Sequence, residues 1–373
     1  MAEDDKPAVK AKIPNAKNIR SPEFTPHGIS AGRGSGLNRP SALTAAQARK
    51  RRIATIAGIV VAVLAIAGGV TYYVTRPGPK IEVSGKFGAE SKVKIPTKLA
   101  PSKGLKSRTL IKGSGPAIAD GDTMFVQYSF YQWAKQTDAD DSRKKSTSKK
   151  IGSSYEQGQQ AQALTVGKSG VKGLDKGLLG KTAGSRVLVE VPPSMGFGDQ
   201  GSQLGLGKND SVVFVVDVQA VVKKNAGPQG APQKLDDKSL PKVEDQGAGK
   251  APKVTVPKTD APSKLQAKTL VQGTGPALAK GDDAVVNYQG QIWKGGKVFD
   301  SSFKNGQPAM FPIGVGKTVP GFDKGLTGAK VGSRVLLVLP PAEGYGKNGN
   351  AQAGIKGTDT LVFVVDILAK VQK

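Results

Sequence analysis

The sequence predicts an α+β fold made twice over: an antiparallel sheet with one short helix laid across it, in two copies that follow a single membrane-spanning helix. Three observations predict it. Residues 53–74 form one uninterrupted apolar run, IATIAGIVVAVLAIAGGVTYYV. Downstream of it the chain repeats itself. Within each repeat, runs of β-branched residues alternate with Gly- and Pro-rich turns, and one short segment has helical character.

The apolar run meets the about 20 residues that a helix needs to cross a bilayer. Tyr72 and Tyr73 close it, where aromatic rings favour the interface. Arg49, Lys50, Arg51 and Arg52 precede it, whereas Arg76 and Lys80 are the nearby cations after it. The positive-inside rule then puts the N-terminus in the cytoplasm and the rest outside. A nuclear-localisation reading of the cluster and a cleaved signal peptide are the rivals. A signal peptide has a shorter apolar region nearer the start of the chain, whereas 52 residues precede this one. An uncleaved anchor over 53–75 is therefore expected. Residues 1–52 are rich in Pro, Gly, Ser and Ala, hold few large apolar side chains, and are expected to be a disordered basic cytoplasmic segment.

The repeat is dense. KVKIP (92–96) returns as KVTVP (253–257), and TLIKGSGPAIADGD (109–122) as TLVQGTGPALAKGD (269–282). GLDKGLLGKTAGSRV (173–187) returns as GFDKGLTGAKVGSRV (321–335), and SVVFVVDV (211–218) as TLVFVVDI (360–367). Such self-similarity marks a duplicated domain. The boundaries it suggests are a lead-in at 76–98, a first domain at 99–223, a linker at 224–260 and a second domain at 261–373. The linker is rich in Pro, Gly and Lys and is expected to be flexible. In the second copy, 283–292, 334–339 and 361–368 read as strands. The helix is expected around 321–329, with Pro320 pre-setting its first turn.

Composition excludes several classes of function. The chain has no cysteine, so disulfides and thiol chemistry are ruled out. Its single histidine, His27, lies in a Pro/Gly/Ser-rich stretch, and no zinc-ligand pattern exists. The net charge of +26 suits nucleic acid, anionic lipid or acidic polymers. The lysines are, however, spread through loops and linkers without the aromatic pattern of an RNA-binding strand, so no nucleic-acid partner is expected.

The second copy resembles the FKBP-type (macrolide-binding) peptidyl-prolyl cis-trans isomerases over about residues 265–371. The runs that carry the resemblance are VVNYQGQIWKGGKVFDSS (285–302), GVGKTVPGFDKGLTGAKVGSR (314–334), PPAEGYG (340–346) and GTDTLVFVVDIL (357–368). It implies a curled antiparallel sheet wrapped on a short helix, with an aromatic-lined pocket between them. Carried over position by position, Asp300, Tyr345 and Phe299 are implied as catalytic residues. Tyr288, Val319, Phe322, Ile355 and Phe363 are implied as the substrate-binding lining, with the Val319 N–H and the Tyr345 hydroxyl as polar handles. No metal and no cofactor are implied. Singly, each residue also has a bland reading: Phe322 and Phe363 as core, Asp300 as a turn residue, Tyr345 as a packing anchor. Two departures stand out. Ala309 replaces an aromatic common in the family, with Phe311 expected to face the core, and the 346–354 loop lacks an apolar tip.

The first copy resembles the family less closely. Tyr128, Val171, Phe197 and Phe214 match pocket positions, but Ile151-Gly152 stands where the other copy has Phe299-Asp300. Leu174 replaces the floor aromatic and Phe197 the loop tyrosine. A charged insertion, 134–150, precedes Ile151. A folded domain with weak or no activity is expected.

The resemblance implies an isomerase acting on Pro-containing unfolded or exported polypeptides, open to macrolide inhibitors, with the chemistry in the second domain. The single-pass layout suggests a bacterial, membrane-anchored form. A non-catalytic holdase for Pro-containing chains at the cell surface is the alternative, and a structural or adhesive surface protein is a third reading.

Overall fold

The computed structural model describes residues 49–50, 53–54, 57–58, 60–66, 78–136, 145–156 and 160–371. The expected disordered segment over 1–52 lies almost wholly outside them, and about half of the expected transmembrane helix over 53–75 falls outside them. Among the described residues, no helix is long and apolar enough to cross a membrane.

Residues 77–373 form one compact unit that contains both copies. The first copy contributes β1 (Lys106–Ile111), β2 (Thr123–Lys135), β3 (Ser146–Ser153), β4 (Gln162–Thr165), α1 (Lys172–Leu178), β5 (Arg186–Val191) and β6 (Ser211–Val222). The second contributes β7 (Gln266–Gly273), β8 (Asp283–Ile292), β9 (Val298–Ser301), α2 (Ser302–Asn305), β10 (Ala309–Pro312), α3 (Pro320–Leu326), β11 (Arg334–Leu339) and β12 (Leu361–Val371). The sheet orders correspond: β1-β5-β6-β2-β3 with β4 also on β2, and β7-β11-β12-β8-β9 with β10 also on β8. All the pairings are antiparallel. The second copy has two helices where one was expected, because a single turn, α2, follows β9 directly.

Period-two alternation divides each sheet into an inner and an outer face. On the inner face of the second copy, Val335, Leu337, Leu339, Phe363, Val365 and Ile367 pack against Phe322 and Leu326 of α3. Two glycines set that contact. A Cβ on Gly321 would lie 2.4 Å from Leu339 Cδ2, and one on Gly325 2.5 Å from Leu337 Cδ2. The helix therefore rests its backbone on β11. Gly173 and Gly177 do the same against Val191 and Val189 in the first copy.

The outer face corrects the expectation of a flexible linker over 224–260. Gly230–Pro232 pairs with β7 as a further strand of the sheet. Lys242–Glu244 and Lys253–Thr255 form a hairpin. Its neighbours Leu240, Val243, Val254 and Val256 pack with Trp293, Leu336, Val338, Val362 and Val364. In the lead-in of the first copy, Glu82–Ser84 and Lys92–Lys94 form the matching hairpin, which packs over Trp133, Leu188, Val213 and Val215. Each hairpin is tied down by the arginine of the repeated GSRV run. Arg186 is 2% exposed; it pairs with Asp217 at 2.6 Å and donates to the carbonyls of Gly85, Lys86 and Ala89. Arg334 pairs with Asp366 at 2.6 Å and reaches Asp245 at 3.0 Å. The few apolar anchors of these segments suffice because a large sheet face needs cover.

The two copies also pack on each other. Phe125, Ala220 and Val222 of the first meet Val285 and Val371 of the second in one buried cluster. By sheet register these are nearly the same positions in both copies, since Phe125 pairs with Ala163 and Ala220, and Val285 with Met310 and Ala369.

Candidate active site

Between the sheet and α3 of the second copy lies an open cavity of about 510 Å3, lined by Tyr288, Phe299, Asp300, Phe311, Lys317, Thr318, Val319, Pro320, Phe322, Gly344, Tyr345 and Phe363. A larger cleft of about 710 Å3 lies under the 228–257 segment. It is lined by no aromatic ring and by none of the expected site residues.

The rings form a connected cage. Phe363 stands edge-on to Phe299 at 5.5 Å and to Phe322 at 5.6 Å. Phe311 stands edge-on to Phe322 at 5.4 Å and to Tyr288 at 5.5 Å. Such T-shaped contacts stabilise the wall by about 0.5–1.5 kcal/mol each beyond burial.

Local backbone geometry aims these side chains. β8 pairs with β10 over Asp283–Val286 and with β9 over Gln289–Gln291. At the gap between these two partners the Tyr288 N–H lacks a ladder acceptor on that side, and buried Ser302 supplies its Oγ at 2.9 Å. Ser154 does the same for Tyr128 at 2.8 Å. In the β8–β9 ladder Gly290 faces Asp300 and Gln291 faces Val298, so Phe299 is the extra residue of a bulge. A bulge bends its strand and re-aims a side chain; here that side chain is the Phe299 ring on the cavity wall.

Asp300 Oδ2 accepts the Tyr288 hydroxyl at 2.5 Å. Burial, then the hydrogen bond to the Asp300 carboxylate and its charge, push the Tyr288 phenol well above the usual tyrosine range, so it stays a donor. The loop into α3 is braced by Asp323, which accepts the Gly316 N–H at 2.8 Å and the Thr318 hydroxyl at 2.6 Å. Val319 caps α3, and its N–H makes no hydrogen bond within the described residues. Tyr345 is 38% exposed, and its hydroxyl likewise has no partner among the described residues.

The cavity thus brings together Asp300, Tyr345, Phe299, Tyr288, Val319, Phe322 and Phe363. Ile355 does not line it. It is 4% exposed in the core and its backbone bridges Asn350, because the 346–354 loop folds back on itself there. Phe311, expected to face the core, lines the cavity. Ser302, Asp323, Thr318 and Lys317 were not anticipated. Lys317-Thr318 sits inside a quoted run, but its place on the cavity wall depends on the brace from Asp323.

The first copy shows an exchange that residue matching missed. Tyr128, Phe197 and Phe214 converge as expected, and Phe130 stands among them, stacked on Phe214 at 5.4 Å and tilted against Phe197 at 5.7 Å. Phe130 occupies the strand position of Gly290, and it faces Gly152 where Gly290 faces Asp300. A Cβ on Gly152 would lie 2.9 Å from the Phe130 ring. In the second copy the relation is reversed: a Cβ on Gly290 would lie 2.7 Å from Phe299 and 2.8 Å from Phe363. The ring that lines the cavity from β9 in one copy is replaced by a ring that enters from β2 in the other. The Tyr128 hydroxyl then bonds Gln162 at 2.9 Å rather than a carboxylate.

Comparison with known proteins agrees with the duplication. A family model described as FKBP-type peptidyl-prolyl cis-trans isomerase matches residues 115–219 and again 275–368. An FK506-binding protein of Streptomyces anulatus is 36% identical over 118 residues, 32% of this chain and 95% of that protein. The peptidyl-prolyl cis-trans isomerase FKBP15-1 of Arabidopsis thaliana is 44% identical over 90 residues, 24% of this chain and 58% of its own length. The isomerase FKBP9 of Mus musculus is 28% identical over 198 residues, 53% of this chain and 28% of its own length.

Proposed function

The chain belongs to the FKBP-type peptidyl-prolyl cis-trans isomerase family and is an isomerase of X-Pro bonds, and on that premise we propose that the chemistry resides in the second domain, 261–373, with the first domain, 99–223, folded but nearly inactive. The observation that carries this reading is the exchange of Gly290 and Asp300 for Phe130 and Gly152. It leaves an open cavity in one copy and a ring in its place in the other.

Rotation about a peptide bond has a barrier of about 18–20 kcal/mol, set by C–N resonance. Twisting an X-Pro bond removes that conjugation and needs neither nucleophile nor metal. The cage of Phe299, Phe311, Phe322 and Phe363 holds the prolyl ring away from water, which disfavours the more polar planar amide against the twisted one. The Val319 N–H and the Tyr345 hydroxyl, both without partners among the described residues, serve as donors for the carbonyls of the twisted segment. Asp300, held by Tyr288, orients the wall and takes no proton.

The substrates in this reading are Pro-containing unfolded chains, among them exported proteins, and the cavity also suits a macrolide. The protein is held at a cell membrane, that of a bacterium, by one helix over 53–75, with its N-terminus cytoplasmic and both domains outside. The cluster Arg49–Arg52 supports that orientation, as do the exposed Val60, Val61, Val63, Leu64 and Ile66 in the helical residues 60–66.

A protease-free isomerisation assay with a Leu-Pro peptide, run beside the refolding of a protein limited by proline isomerisation, tests the enzyme against the holdase. Acceleration of both is expected. Suppressed aggregation without acceleration would leave the holdase. For the anchor, the chain is expected to resist carbonate extraction and both domains to be cut by external protease. Release by carbonate would overturn the membrane assignment.

A further inference from the structure

The mouth of the cavity carries an exposed cation. Lys317 lines the cavity from the loop into α3, is exposed, and makes no ion pair among the described residues. None of the carboxylates of this region lies within ion-pair distance of Lys317. Asp300 accepts the Tyr288 hydroxyl on the β9 wall, and Asp323 accepts the Gly316 N–H and the Thr318 hydroxyl, in each case from neutral donors. Glu343 pairs with Lys324 at 2.7 Å. Lys347 follows Tyr345 by two residues and is exposed as well. Residues 261–373 as a whole hold fourteen basic and seven acidic side chains. The long-range field of the domain is therefore positive, and Lys317 adds to it at the cavity mouth.

We propose that Lys317 is a specificity-determining residue that makes the second domain prefer a carboxylate side chain immediately before or after the proline. The inference rests on the isomerase reading above. Lys317 touches no part of the twisting bond, so its effect falls on which chains are captured. An exposed pair of this kind is weak and screened by salt, so the preference is about threefold at low ionic strength.

The test uses the full chain and matched peptides: Glu-Pro against Gln-Pro, and Pro-Glu against Pro-Gln, with Leu-Pro as the reference. At low salt, kcat/KM for the acidic member of at least one pair is expected to exceed its amide partner about threefold. The advantage should vanish in half-molar salt and in Lys317→Gln, and reverse in Lys317→Glu. Each ratio is taken within one preparation, so partial misfolding of a variant leaves it unchanged. Equal turnover of both pairs by the native chain, or an advantage that survives Lys317→Gln, would overturn the proposal while Leu-Pro turnover leaves the isomerase reading standing. No turnover of any peptide would overturn both.

Discussion

Replacing Gly290 by alanine adds one methyl group to the cavity wall where two of its rings meet. The new Cβ would lie 2.7 Å from Phe299 Cζ and 2.8 Å from Phe363 Cε1. Carbon atoms in good contact sit at about 3.5–4.0 Å, so each ring would have to withdraw by about 1 Å. Phe363 is 6% exposed in β12, which is paired along both edges, and has little room. Phe299 is half-buried at a bulge and moves more easily. Its displacement carries the adjoining Asp300 and loosens the bond to the Tyr288 hydroxyl. Overpacking of this kind costs about 1–3 kcal/mol, and a misplacement of about 1 Å at a site can cost about a hundredfold in rate. Gly290→Ala in the full chain is therefore expected to lower kcat/KM for a Leu-Pro peptide about ten- to a hundredfold. Stability by urea unfolding is expected to fall by about 1–2 kcal/mol. A variant with native stability and undiminished turnover would refute the claim that the missing side chain keeps the cavity open.

Arg186→Ala strands Asp217 as a buried unpaired charge and frees three carbonyls of the lead-in hairpin, so a loss of about 3–5 kcal/mol is expected in urea unfolding; a loss under about 1 kcal/mol would contradict the tethering role. The Arg334 guanidinium beside Asp245 holds that carboxyl below the usual aspartate range. A depressed folded value means its contribution is present above the ordinary value of about 3.9 and is lost as pH falls through the lower folded one. Asp245 is 63% exposed, so the amount is under about 1 kcal/mol. The stability gap between the native chain and Asp245→Asn should close on acidification, and a gap that persists at pH 2 would contradict the pairing. For Tyr288 the sign is opposite. Its raised value keeps the phenol neutral beyond the ordinary value of about 10, so its contribution is full below that value and fades only as pH passes the raised one. The stability gap between the native chain and Tyr288→Phe should therefore hold level up to about pH 10, and a gap that is lost around the ordinary tyrosine value would refute the Tyr288–Asp300 bond.

Much of the fold was legible because the apolar alternation is long where it matters. The expected strands at 283–292 and 334–339 coincide with β8 and β11, the third extends a little further as β12, and Pro320 opens α3 at its first position. The outer hairpins were not legible. Their strands are three residues long, too short for a period to show. What holds them is Arg186 and Arg334, whose partners are set by long-range packing. The same limit explains the site. Tyr288, Phe299, Asp300, Phe322 and Tyr345 lie in runs with a recognisable order, and the structure gathers them around one cavity. The role of Phe130 depends on strand register across a bulge, which a linear match of Tyr128, Phe197 and Phe214 does not show. Ile355 was misjudged because its loop closes on itself through Asn350, a matter of local turns rather than of sequence order.

The most direct test of the account compares the native full chain with Asp300→Ala/Tyr345→Phe in a protease-free X-Pro isomerisation assay, with circular dichroism to verify folding. The account predicts clear catalysis by the native chain, and a folded double variant that leaves the peptide at its uncatalysed pace of tens to hundreds of seconds. A folded double variant that keeps the native rate would contradict it and place the catalysis elsewhere, the first domain included.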